Sequence, residues 1–219
     1  MSKELDRMNK KIIVAVCVLI GILLLFGISK GCQSCSQKKI AELSEQIETL
    51  KEDFVPMQFE IVKNSGSRIK VKVAFCDIVT EKKVSKAKTF DLEGEELNVD
   101  FQVIELEGKN FVFFPCGLYS DKIPLAESLP LFDLYDQKGF PAIYGGIVES
   151  NPSKSERVSL EKELTTYFDL VKSGETSLSK EQYGTAVHEL KNISRFKKGF
   201  VYNVLCHPHT GGIEIVKAD

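Results

Sequence analysis

"MQFEIVKNSGSRIKVKVAFCDIV", residues 57–79, is the stretch whose pattern decides the fold. Ile69, Val71, Val73 and Phe75 alternate with Arg68, Lys70, Lys72 and Ala74. That period of two places the apolar set on one face of a strand. "NSGS", at 64–67, separates this run from an apolar-rich one before it and supplies the turn of a β-hairpin. "LNVDFQVIEL" (97–106) repeats the alternation through Leu97, Val99, Phe101 and Val103, and "NFVFFP" (110–115) follows a turn marked by Gly108. Together these runs predict an antiparallel meander with one solvated face.

Toward the C-terminus the period changes to that of a helix. Residues 154–172 carry a stripe of Leu160, Leu164, Tyr167, Phe168 and Val171. Ser153 and Glu156 form a capping box, and Gly174 ends the helix. A second helix is expected to begin at Ser179, boxed by Gln182, and to bury Tyr183, Ala186, Val187, Leu190 and Ile193. A closing hairpin, "GFVYNVLCHPHTGGIEIV" (199–216), completes an α+β domain, mainly antiparallel sheet with two packed helices.

The N-terminal quarter reads differently. Residues 12–28 hold no charged side chain, and that length, about 25 Å as a helix, reaches the lower end of what spans a bilayer. Lys10 and Lys11 border one end and Lys30 the other, where long side chains snorkel to headgroups. The run is read as a retained transmembrane helix, a signal anchor whose partner is the lipid bilayer. Lys3, Arg7, Lys10 and Lys11 favour a cytoplasmic N-terminus (1–11), which puts the bulk of the chain in the periplasm or an equivalent extracytoplasmic space. Two rivals are cleavage before Cys32 and lipidation of it. "ISKGC" resembles a bacterial lipobox but departs from it at Ser29 and Lys30.

Residues 29–55 form the expected stalk. Ile40, Leu43, Ile47, Leu50 and Phe54 fall at spacings of 3, 4, 3 and 4, a short heptad seam that Pro56 stops. Residues 40–54 are the expected route to a coiled-coil homo-oligomer, the alternative being that the stripe packs on its own domain. Cys32 and Cys35 make a C-x-x-C without a preceding strand, so inter-chain disulfides or acylation fit that context better than redox chemistry. Cys76, Cys116 and Cys206 follow no zinc-site spacing. The domain is expected to occupy 56–219.

Composition narrows the function classes. With 219 residues, 43% hydrophobic and 27% charged, the chain suits one folded domain and not wholesale disorder. The net charge of -2 and the absence of a one-sided basic stretch argue against a nucleic-acid partner. "EKKVSKAK" (81–88) is balanced by "DLEGEE" (91–96), and its lysines are read as a solvated hairpin loop.

Candidate sites fall in three places. Residues 117–150 are dense in Pro, Gly and aromatics, with a short helix expected over 129–138. A long connection of this kind is where a ligand or partner surface is sought, through Tyr119, Asp121, Lys122, Asp133, Asp136 and Tyr144. The opposed reading is that the segment only covers the core. His207 and His209 in "CHPH" would share one face of a strand, as a two-histidine metal site requires, although His188 would sit away from them. Cys116, before Gly117, is the candidate nucleophile, with either histidine as its base. No Walker loop, dinucleotide turn, G-x-S-x-G or H-E-x-x-H occurs, and no cofactor is implied. The expectation is therefore a membrane-anchored scaffold or accessory protein of the cell envelope that binds an unknown protein partner. The alternative is a tethered hydrolase using Cys116 or the His207–His209 pair.

Overall fold

The hairpin expected at 57–79 is the centre of one sheet. In a computed structural model, which describes residues 52–106, 110–174, 183–190 (as backbone) and 196–218, strand β1 (Phe54–Asn64) pairs antiparallel with β2 (Arg68–Phe75). Gly66 sits at the turn with φ +83, a backbone that favours glycine. The Asn64 side chain accepts from its N–H at 2.9 Å. β3 (Lys88–Glu93) joins the free edge of β2, and β10 (Val201–His207) with β11 (Gly212–Lys217) extends the other side, in the order β11-β10-β1-β2-β3.

One face of this five-stranded sheet is buried through Met57, Phe59, Ile61, Ile69, Val71, Val73, Phe75, Phe90, Leu92, Tyr202, Val204 and Cys206. Its other face carries the ion pairs Arg68–Asp91, Arg68–Glu93 and Lys70–Asp91 across the β2–β3 ladder. The lysines of 81–88 are exposed, in the loop that joins β2 to β3 and at the first residue of β3. The strand that follows has a buried side, Phe90 and Leu92, which the sequence reading did not single out.

A four-stranded sheet holds β4 (Leu97–Leu106) and β5 (Asn110–Ser120), flanked by the two-residue β6 (Leu129–Pro130) and by β9 (Tyr183–Leu190). Leu97 through Phe101 are all buried, so β4 is covered on both faces. On β5, neighbouring side chains point to opposite faces. Phe113 meets Phe54 of the first sheet edge-on at 5.9 Å, whereas Phe114 stacks on Phe168 of the long helix at 5.8 Å. The second sheet therefore lies between the first sheet and that helix.

Two helices are present among the described residues, α1 (Gly145–Ser150) and α2 (Lys154–Ser173). Ser153 caps α2 by accepting from the Glu156 N–H, and Gly174 ends it with φ +67. Leu160, Leu164, Tyr167, Phe168 and Val171 are buried, as the stripe predicts. The observed fold is α+β, mainly antiparallel sheet with two helices.

Several expectations are corrected. The helix expected from Ser179 is instead strand β9 over its centre, paired antiparallel with β4 from Leu97↔Leu190 to Ile104↔Tyr183. The edge of β4 needs a ladder partner, and tertiary pairing overrides an apolar spacing compatible with a helix. The helix expected over 129–138 does not form either. That segment is β6, a 3-10 turn at Phe132–Leu134 and a tiny hairpin, β7 (Asp136–Gln137) with β8 (Phe140–Pro141). Lys138 and Gly139 take positive φ values there, of +58 and +92. The end of the heptad seam also moves, because Phe54 and Pro56 lie inside β1, at a shift in its pairing with β10. Phe54 is buried against Phe113 and Tyr144, which strand geometry allows and a solvated stalk would not. The apolar run 12–28, Cys32, Cys35 and the seam as far as residue 51 lie outside the described residues. Among the described residues no helix is long and apolar enough to cross a membrane.

Candidate binding cleft

The end of β2 sets up a recess lined by four cations. Asp77 follows the strand, and its Oδ1 accepts from the Val79 N–H (3.1 Å), the Thr80 N–H (2.7 Å) and the Thr80 hydroxyl (2.9 Å). Its Oδ2 accepts from the Gly146 N–H in the first turn of α1. A second tie runs from the Ile78 N–H to the Ile143 carbonyl at 2.9 Å. Loop 77–83 is in this way braced against 142–146. Gly146 has to lack a side chain, because an added Cβ would meet the Asp77 carboxylate and come within 2.8 Å of Val79 Cβ.

From this brace opens a cleft of about 640 Å³. Lys82 and Lys83 form one wall. Lys154 and Arg157, spaced three apart at the start of α2, form another with Val158. Phe140 of β8 adds an apolar surface, and Glu149 and Glu161 are carboxylates with no ion-pair partner among the described residues. None of the four cations is in an ion pair among the described residues. Arg157 Nε is buried and has no hydrogen-bond partner there. Four cations face these two carboxylates, since the carboxylate of Asp77 is engaged by the brace.

The six residues expected to form a surface in 117–150 do not converge. Tyr119 is half-buried on β5, opposite Asn98. Asp121 Oδ1 accepts from the N–H groups of Glu95 and Glu96 (2.8 and 3.0 Å), which hold its carboxyl below the usual range. Lys122 is exposed beside that turn, and Asp133 is exposed in the 3-10 turn. Asp136 is fixed by Lys172 Nζ at 2.7 Å and by the Gly139 N–H, and the lysine contact lowers its pKa most. Tyr144 is wholly buried. Its hydroxyl donates to the Phe113 carbonyl (2.8 Å) and accepts from the Phe113 N–H (3.0 Å), serving the edge of β5.

The histidines separate as well. β10 ends at His207, and His209 is exposed in the following turn, so the expected shared strand face is not formed. His207 Nδ1 lies 2.9 Å from Asp53, and its Nε2 lies 3.7 Å from Glu214. Among the described residues no group of three or more His, Cys, Asp or Glu side chains is placed to hold a metal. Cys116 sits at a pairing shift in mid-strand rather than at a strand end, with Sγ 3.0 Å from the Phe114 carbonyl. Burial, and then the charge of Asp100, push its thiol well up, the reverse of what a nucleophile needs. Cys76, Cys116 and Cys206 are free thiols.

Comparison with protein-family models, curated proteins and solved structures finds no match. The cleft residues escaped the sequence reading for a local reason. Lys82 and Lys83 sit in a stretch balanced by acids, and Lys154 and Arg157 lie on what reads as a solvated helix turn. No spacing links the two pairs. The Asp77–Gly146 brace, 69 residues apart in sequence, is what brings them together.

Proposed function

We propose that this chain is a membrane-anchored protein that acts by binding, as a scaffold or accessory subunit of the cell envelope, with its α+β unit on the extracytoplasmic side. The observation that carries the binding reading is the cleft. Its cations, unpaired among the described residues, stand beside Val158, a large apolar side chain left 59% exposed. Anchoring is supported by the uncharged run 12–28 between its flanking lysines, and orientation by the cations at Lys3, Arg7, Lys10 and Lys11. The apolar spacing from Ile40 to Leu50 supports self-association once tethering raises the local concentration.

A photo-reactive residue at position 158 of the full chain, in its own membrane, tests this. The control is the same probe at Lys72, which is exposed on the open face of the five-stranded sheet. Position 158 is expected to give one or a few discrete adducts in carbonate-washed membranes, and position 72 none of them. Identical diffuse labelling from both positions, or a chain released into the soluble fraction, would overturn the reading.

A further inference from the structure

Three lysine and arginine side chains have an ion-pair partner among the described residues. Arg68 and Lys70 pair with Asp91 and Glu93, and Lys172 pairs with Asp136. Lys82, Lys83, Lys154 and Arg157 have no such partner among the described residues, yet all four line one recess. Cations brought together without a counter-charge repel one another, and an anion between them relieves that repulsion. The buried Arg157 Nε, without an acceptor, carries a further desolvation penalty that an incoming oxygen would relieve.

Two features restrict the anion. Glu149 and Glu161 share the recess and would repel a densely charged polyphosphate or a nucleic-acid backbone. Val158, on the α2 wall, is 59% exposed, and Phe140 adds a second apolar surface. A small inorganic anion would leave Val158 in water. A chain crossing the recess would cover it while placing its carboxylates on the cations, the arrangement of apolar anchor and polar rim common at protein interfaces.

We infer that the cleft between loop 77–83 and the start of α2 takes an acidic peptide segment of a partner protein, carboxylates on Lys82, Lys83, Lys154 and Arg157 and aliphatic side chains over Val158 and Phe140. This rests on the binding reading above and names its partner class. Electrostatic complementarity of this kind gives salt-dependent association.

The test is a selection from a random 12-residue displayed peptide library on the full chain in nanodiscs, run in parallel on the double variant Lys83→Glu/Arg157→Glu. Circular dichroism and the melting midpoint check that the variant is folded. Peptides selected on the wild type are expected to be enriched in Asp and Glu alternating with Leu, Ile or Val. By fluorescence anisotropy they should bind the variant about tenfold or more weakly, and lose affinity as salt is raised. Selection of neutral or basic peptides, or of the same peptides by both proteins, overturns the inference. So does displacement of the acidic peptides by millimolar tripolyphosphate at a stoichiometry of one, which assigns the recess to a small anion. If position 158 still gives discrete adducts while the selected peptides are not acidic, the partner class fails and the binding reading stands. If neither assay finds a partner, both fail.

Discussion

Glu163 is fully buried on α2, and neither of its carboxyl oxygens has a hydrogen-bond partner among the described residues. A charge there would lack both water and a counter-ion, so the carboxyl stays protonated and its pKa rises from 4.5 to about 8. The sign of the pH effect follows. Between these two values the native state holds a proton that the unfolded chain has released. Stability is therefore highest below the lower value and falls as pH rises through the window, by up to about 1.4 kcal/mol per pH unit. Glu163→Gln preserves the shape and removes the titration. Urea melts from about pH 5 to pH 8 should show a flatter profile for the variant, with a higher midpoint than wild type at the alkaline end. Parallel profiles for the two proteins would refute this account.

At the scale of the element, the edge of β5 is held by bonds from outside the ladder at Phe113, Pro115 and Cys116. Tyr144 bonds both polar groups of Phe113, the Tyr135 hydroxyl donates to the Pro115 carbonyl (2.9 Å), and the Leu131 N–H donates to the Cys116 carbonyl (2.9 Å). Tyr144→Phe should cost about 1–3 kcal/mol in a urea melt, because it leaves a buried N–H without a partner. Tyr135→Phe removes only one donor from a carbonyl and should cost less; the reverse order would contradict this description. The same edge explains what was legible. Helix α2 could be read because its cap, stripe and terminal Gly174 agree among themselves. The 129–138 segment could not, because Leu131 and Tyr135 spend their polar groups on β5, a partner that no local pattern names. Strand β9 was misread for a similar reason. "YGTAVHEL" fits either period, and only the need of β4 for a ladder partner decides between them.

For the whole molecule, the layering of two sheets and α2 fixes the chemistry of the thiols. Cys76 and Cys206 are buried and Cys116 is half-buried, and burial is the leading cause that raises all three pKa values. In the native protein at neutral pH these thiols should react with a disulfide reagent at least about a hundredfold more slowly than in urea, since the thiolate is the reactive form. A fast thiol mapped by mass spectrometry to Cys116 would return the hydrolase reading to consideration. The hairpin at 57–75 and the buried side of β2 were legible because alternation alone determines which side faces inward. The cleft was not, since its two pairs of cations are distant in sequence and meet through the ties of loop 77–83 to 142–146.

The seal on β5 has a consequence for crowding. A flat, unpaired strand invites the sheet of a neighbouring copy to grow onto it, and proteins commonly deter this with edge charges, proline or a bulge. Along Phe113 to Cys116 the vacancy is already filled from within, largely by phenol groups. However densely copies are packed side by side, that flank has no ladder left to lend, so strand-to-strand fusion must begin elsewhere.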